Sequence, residues 1–291
     1  MKNLTAIYWI KNEARYIPEY IEFHLLQGFD HFIFYDNGST DNLLETCSPY
    51  IEAGLMEVRH YPEGELPNYS GPRNSKNFYV MDHCIKEQRG KTRWLHFHAL
   101  DERLFCPSGE NLVDFLRNYE SYGGVCVAWL FFNSNGHIER PKGLITDAYT
   151  QALTDRSGHI KTLIMPDKAI KTIGSPHNFK FEGTHSVDEN FNRCDDSFNL
   201  ANYSFNKIKL HHYVVMSRQD HEEKTNKGLL DGGPSTENTS RPDAEAHWNW
   251  YHSPEAGLHY NGDLLKYSSQ IKENIAARYK GREHLLEFIN H

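Results

Sequence analysis

Hydrophobic and polar positions switch between two periods along the first half of the chain. Thr5 to Ile10 is a short apolar run of strand formers that ends in Lys11-Asn12-Glu13. From Ala14 to Gln27 the apolar residues Ile17, Tyr20, Ile21, Phe23 and Leu25 recur at helical spacing, and Gly28 supplies the stop. Phe32-Ile33-Phe34-Tyr35 is a second strand, closed by Asp36-Asn37-Gly38-Ser39-Thr40-Asp41. Strand, helix and strand within about 30 residues form a βαβ unit, which joins parallel neighbours. Both polar clusters then fall at the carboxyl ends of strands, the rim on which open α/β sheets bind ligands.

Leu55 to Tyr61 alternates like a third strand, Pro62 to Pro72 is a Pro/Gly/Glu loop, and Asn74 to Gln88 places Phe78, Met81, Cys84 and Ile85 on one helical face. Arg93 to Leu100 reads as a fourth strand that stops abruptly at Asp101-Glu102. Leu112 to Tyr119 is helical, and Gly124 to Phe132 is a buried strand ended by the polar turn Asn133 to His137. Beyond it the pattern loosens. Leu229 to Arg241, with Gly232-Gly233-Pro234-Ser235, has the composition of a mobile loop, and Leu264 to Asn290 reads as one or two amphipathic helices. The alternation predicts an α/β fold, a mainly parallel mixed sheet flanked by helices. One domain covers residues 1–270, and residues 264–291 form a helical segment packed on it.

A formal charge of −8, from 31 Lys and Arg against 39 Asp and Glu, argues against a nucleic-acid footprint, because phosphate backbones need clustered basic residues. The five cysteines are odd in number and scattered, without a Cys-x-x-Cys pair, as expected for reduced, packed thiols in the cytoplasm. No run approaches the roughly 18 apolar residues of a membrane span, which leaves peripheral docking as the only membrane contact expected.

Chemistry concentrates at strand ends. Asp101 and Glu102 bring adjacent carboxylates to the rim. Asp36, followed by a Gly-Ser-Thr-Asp turn, can hydrogen-bond a nucleobase or ribose edge or simply cap the next helix. His211-His212 either enters a site or packs on the sheet.

The blocks Lys11 to Tyr16, Gly28 to Phe32, Tyr35 to Asp41, Trp94 to Phe105, Trp129 to His137, Arg140 to Leu144, Lys161 to Pro166, His177-Asn178-Phe179 and His211 to Ser217 resemble, in order, glycosyltransferase family 92 and its bacterial family-2-like relatives. The resemblance implies a GT-A type, Rossmann-like nucleotide-sugar-binding domain. It also implies inverting transfer of a hexose, galactose first, from a UDP-sugar to a glycan hydroxyl in surface polysaccharide or glycoconjugate synthesis. Mn²⁺ or Mg²⁺ commonly sits at an Asp-x-Asp motif in such enzymes, neutralising charge on the leaving diphosphate.

Carried onto this chain, the resemblance makes Asp101 the last Asp of that motif and, with His212, a metal ligand. It places Lys11, Asn12, Glu13, Asp36, Asn37, Gly38 and Ser39 around the nucleotide, and Trp129, Asn133, Gly136, His137 and His177 on the acceptor side. The chain departs from the pattern at Ala99, where relatives carry the first Asp, and at Arg103, where they carry an aromatic residue. His98 or Arg103 is expected to take over the missing function, with Lys224 reaching phosphate. Asp188 and Glu189 are the expected catalytic bases. Ala99 also supports a second reading, a degenerate module that binds nucleotide-sugar or glycan without turnover.

Overall fold

A computed structural model describes residues 1–60, 75–154, 158–194, 203–226 and 244–286. The expected loops at 62–72 and 229–241 lie outside the described residues. The chain forms β1 (Lys2–Ile10), α1 (Ile17–Leu26), β2 (His31–Asp36), α2 (Leu43–Glu52), β3 (Met56–His60), α3 (Ser75–Gln88), β4 (Thr92–Phe97), β5 (Glu102–Phe105), α4 (Leu112–Leu116) and β6 (Gly124–Phe131). It continues through α5 (Ile145–Ala148), β7 (Gln151–Leu153), β8 (Ile160–Ile164), β9 (Ala169–Ile173), β10 (Ser175–Phe181), β11 (Ser186–Val187), β12 (Lys209–His212), α6 (Arg218–Asn226), α7 (Ala244–His252), β13 (Leu258–Tyr260) and α8 (Ser268–Arg278).

The main sheet runs β3-β2-β1-β4-β8-β6-β12-β5, with β11 beside β6. β3, β2, β1 and β4 are mutually parallel, β8 is antiparallel to both β4 and β6, β12 is parallel to β6, and β5 is antiparallel to β12. This is the expected α/β class. Four residues, 98–101, join β4 to β5, although three strands separate the two in the sheet order. The sheet must therefore curl back on itself, and its strands beyond β4 enclose what a flat sheet would leave on a face.

α1 is buried almost all round, from Ile17 to His24. One side meets the sheet and the other meets α8, where Arg278 Nε donates to Glu22 Oε1 at 3.1 Å; just past α8 the Tyr279 hydroxyl donates to the Thr46 carbonyl of α2 at 2.5 Å. After α1 the chain turns at Gly28, φ +100°, where a Cβ would collide with the Asn111 amide. Asn111 caps α4, its Oδ1 accepting from Val113 N–H at 2.9 Å. Asn111→Ala is expected to cost about 1 kcal/mol of stability in urea melts, the usual worth of a lost N-cap.

Inside the curl lie polar groups that the strand pattern placed at the rim. Arg103 is fully buried, donates to the Leu100 and Glu102 carbonyls at 2.7 and 2.9 Å, and pairs with Glu19 at 3.0 Å. Glu19 in turn accepts from the Ile145 and Thr146 N–H groups at 2.6 and 3.1 Å, which fixes α5. His98 is buried against Phe29, His24 and His96, and its Nδ1 hydrogen-bonds the Tyr20 hydroxyl at 2.7 Å. Burial, aided by nearby positive charge from Arg103 or Lys161, pushes all three histidines well below the usual imidazole range, so they sit neutral in the core. All five cysteines are free and four are buried. Among the described residues no helix is long and apolar enough to cross a membrane.

Candidate active site

The ends of β1 and β2 carry two loops stitched together by side chains. Asn12 adopts φ +52°, its N–H donates to Ser39 Oγ at 3.0 Å, and its Oδ1 accepts from Thr40 N–H at 2.7 Å. Asp36 Oδ1 accepts from Ser39 N–H at 2.8 Å, Asn37 N–H donates to the Ile10 carbonyl at 2.8 Å, and Asp41 accepts from Ala14 N–H at 2.9 Å. The same Asx and Ser turns that suit a helix start thus brace the rim, with Gly38 at φ +72° giving the tight corner. Lys11 is half-buried at the head of the loop, and buried Glu13 accepts from the Tyr8 hydroxyl at 2.7 Å.

Asp101 lies in the turn between β4 and β5, not at the end of a continuous strand. Its carbonyl accepts from Tyr213 N–H at 2.8 Å, which locks the turn to the end of β12. Its carboxylate is buried, and Oδ2 accepts from Lys224 Nζ and faces His212 Nε2 at 3.5 Å. Burial alone would raise this acid. Lys224 first and His212 second outweigh it and hold the carboxyl well below its usual range. Lys224 also donates to the Val214 carbonyl at 3.2 Å.

The helix bearing Lys224 is aimed by its own start. Ser217 and Asp220 cap α6 reciprocally, with Ser217 Oγ donating to Asp220 Oδ2 at 2.6 Å and Asp220 N–H donating to Ser217 Oγ at 3.0 Å. Asp220 also accepts from the Tyr16 hydroxyl at 2.6 Å and pairs with Arg140. Sequence reasoning overlooked Asp220, although Ser-x-x-Asp ahead of a helix is a readable capping signal. Asn12, Glu13, Arg15, Tyr16 and Lys224 line a cleft of about 390 Å³ above this region.

Glu102 points elsewhere. It is fully buried, accepts from Ala99 N–H at 2.9 Å and meets Lys161 Nζ at 3.4 Å, while Lys161 donates to the Phe97 carbonyl at 2.9 Å. Ala99, half-buried, contributes its backbone to this turn.

A wall of aromatic rings begins at His212. Trp129 packs at 4.6 Å from His212 and 5.2 Å from His177, and stacks on His159 at 5.8 Å and 18°. Burial lowers the His177 and His159 imidazoles, more strongly for His177, so both are neutral at pH 7. Asn133, Gly136 and His137 do not join this wall. They form a turn closed by Asn135 N–H on Asn133 Oδ1 at 2.9 Å and by Gly136 N–H on Ser134 Oγ at 3.1 Å, and the His137 carbonyl accepts from Arg218 N–H at the start of α6.

Asp188 and Glu189 are also placed apart. Asp188 accepts from Asn190 N–H, Asn192 N–H and the Asn192 amide, while Glu189 accepts from Ser204 and from the N–H groups of residues 206, 207 and 208. They follow β11, which pairs with Gly124 and Val125 at the opposite end of β6 from Phe131, the partner of His212. At about 3.3 Å per residue that is roughly 15–20 Å from Asp101's side of the strand. His98 and Arg103 are likewise turned into the core, and Arg103's charge is committed to Glu19.

The donor set does not fit the divalent cation that an Asp-x-Asp motif implies. The motif's first carboxylate is Ala99, the Asp101 oxygen is already held by an ammonium and an imidazole, and Glu102 is turned to Lys161. No group of three His, Cys, Asp or Glu side chains that could hold a metal occurs among the described residues.

Fold and rim together define an α/β protein with an Asp–Lys–His cluster beside a cleft at the carboxyl ends of parallel strands. The model of glycosyltransferase family 92 matches residues 4–275, and the chain belongs to that family. It is 29% identical over 161 residues to a glycosyltransferase family 92 protein of Oryza sativa subsp. japonica, covering 54% of this chain and 26% of that protein. It is 27% identical over 109 residues to a galactan β-1,4-galactosyltransferase of Arabidopsis thaliana, covering 36% of this chain and 20% of that protein. The chain spans between 20% and 41% of the length of the curated relatives it matches. Among solved structures, S. aureus TarS residues 1–349 in complex with UDP aligns over 98% of this chain and 83% of that one, with 14% identity and a TM-score of 0.39.

Proposed function

We propose that the chain transfers a hexose from a UDP-sugar to a glycan hydroxyl, with inversion, as a step in polysaccharide or glycoconjugate assembly. The observation that carries this is the Asp101–Lys224–His212 cluster beside the cleft, in a member of a glycosyltransferase family. Galactose is the first donor to try, because two Arabidopsis relatives are named galactan β-1,4-galactosyltransferases.

In this reading the nucleotide lies across the braced loops at residues 11–13 and 36–39, and the diphosphate meets Lys224. The acceptor oxygen attacks the anomeric carbon, the bond from that carbon to the diphosphate oxygen breaks, and the electron pair leaves with UDP. A fixed ammonium stabilises that charge without reorganising, which is the largest electrostatic gain such a site offers. We place the acceptor against Trp129, whose indole gives a sugar an apolar face. Neutral His159, whose imidazole burial lowers less than that of His177, takes the hydroxyl proton, since Asp188 and Glu189 are saturated by structural hydrogen bonds.

Incubating the chain with a panel of UDP-sugars and oligosaccharides is expected to release UDP from one donor only when an acceptor is present. A chain that binds none of the sugar nucleotides overturns the proposal. Ala99 favours one other reading, a binding module without turnover. Binding with no transfer, both in the wild type and in Ala99→Asp, is the outcome that supports it.

A further inference from the structure

Resting on the transferase reading, we propose that Lys224 takes the place of a divalent metal in this chain, so that a nucleoside diphosphate is held at the Asp101 site without one. The argument begins with charge. A hard divalent cation needs several anionic oxygens, and one carboxylate shared with an ammonium offers it a site that is already neutralised. Asp101 Oδ2 is the oxygen that Lys224 and His212 both address. A metal on that oxygen would sit beside a positive charge at hydrogen-bonding range.

Lys224 is also suited to the substituted role. An ammonium has three N–H donors. Two go to Asp101 and to the Val214 carbonyl, and among the described residues the third has no partner. Lys224 lines the cleft, and Arg15 lines it as well, making no ion pair among the described residues. The carboxylates that share the lining are engaged, Glu13 by the Tyr8 hydroxyl and Asp220 and Glu223 by Arg140, which leaves the two cations to face a diphosphate. Asp101 then acts as a positioning residue that keeps Lys224 aimed, the task left to it once Ala99 removed the second carboxylate.

The test measures UDP binding to the full chain by calorimetry, once in excess EDTA and once in excess Mn²⁺. The two affinities are expected to agree within about twofold, and Lys224→Met to weaken binding about 10- to 100-fold, with Lys224→Arg recovering most of the loss. Wild-type binding that rises more than about tenfold with Mn²⁺ overturns the inference and leaves the transferase reading standing. So does a folded Lys224→Met that binds UDP like the wild type in EDTA. Absence of UDP binding in both buffers overturns the transferase reading itself. The wild-type comparison decides the metal question even where Lys224→Met does not fold.

Discussion

Asp101→Asn is expected to lower kcat/KM for sugar transfer by about 10²- to 10³-fold, the cost of losing one preorganised electrostatic group. Asp101 is buried, its backbone is tied to Tyr213, and its carboxylate holds Lys224 and His212. Asparagine keeps the shape but removes the charge that fixes the ammonium, so Lys224 loses its aim at the diphosphate. UDP affinity should fall with the rate, because the leaving group is bound through the same contact. Far-ultraviolet circular dichroism separates this from unfolding, since Asn can still accept from Lys224. An Asp101→Asn enzyme that keeps a third or so of the wild-type rate would remove Asp101 from the chemistry.

The second large effect is on stability against acid. His24 and His96 meet His98 edge-on inside the curl, and all three are held neutral, mainly by burial and then by the positive charge of Arg103 or Lys161. Among the described residues neither nitrogen of His96 has a hydrogen-bond partner that would compensate a charge. Their folded pKa values lie below the unfolded value of about 6.5, so the unfolded chain binds more protons once the pH falls past that point. Stability from these groups is complete above about pH 7 and is lost progressively below pH 6.5, by up to about 1.4 kcal/mol per pH unit for each histidine. The three together then account for about 4 kcal/mol per unit, and His177 and His211, the latter lowered to about 3 by burial, add to the slope. Asp101 contributes in the same direction but later, as the pH falls below about 4, because its folded pKa is also depressed. Urea melts between about pH 7 and pH 5 measure the effect, and His96→Leu should flatten the slope by about one proton. Equal midpoints across that range would show that the cluster is hydrated or already charged.

The early elements and the loops between them are legible in the chain before folding. The helix at 14–27, the strands at 5–10, 32–35 and 124–132 and the loops at their carboxyl ends follow from apolar period and from Gly, Asn and Asp at turn positions, all of which act within a few residues. They fall close to α1, β1, β2 and β6, and they put residues 11–13 and 36–39 on one rim. The resemblance names Asp101 and His212 as metal ligands; the fold brings the two side chains to 3.5 Å, but around the Lys224 ammonium and without a donor set that fits a cation.

Tertiary structure decided which way the other candidates face. β4 ends at Phe97, yet His98 N–H still bonds the Ile7 carbonyl and its ring follows His96 into the core, where it meets Tyr20. The turn at 98–101 then starts β5, Arg103 pairs with buried Glu19, and Asp101 reaches the cleft through Lys224, which lines it. Lys224, 123 residues further on, reaches Asp101 because α6 is aimed by Ser217, Asp220, Tyr16 and Arg140. Local pattern thus determined the elements and the rim, since those depend on near neighbours. The closing of the curled sheet determined the charge pairs, since a salt bridge depends on groups that are close in space and distant in sequence.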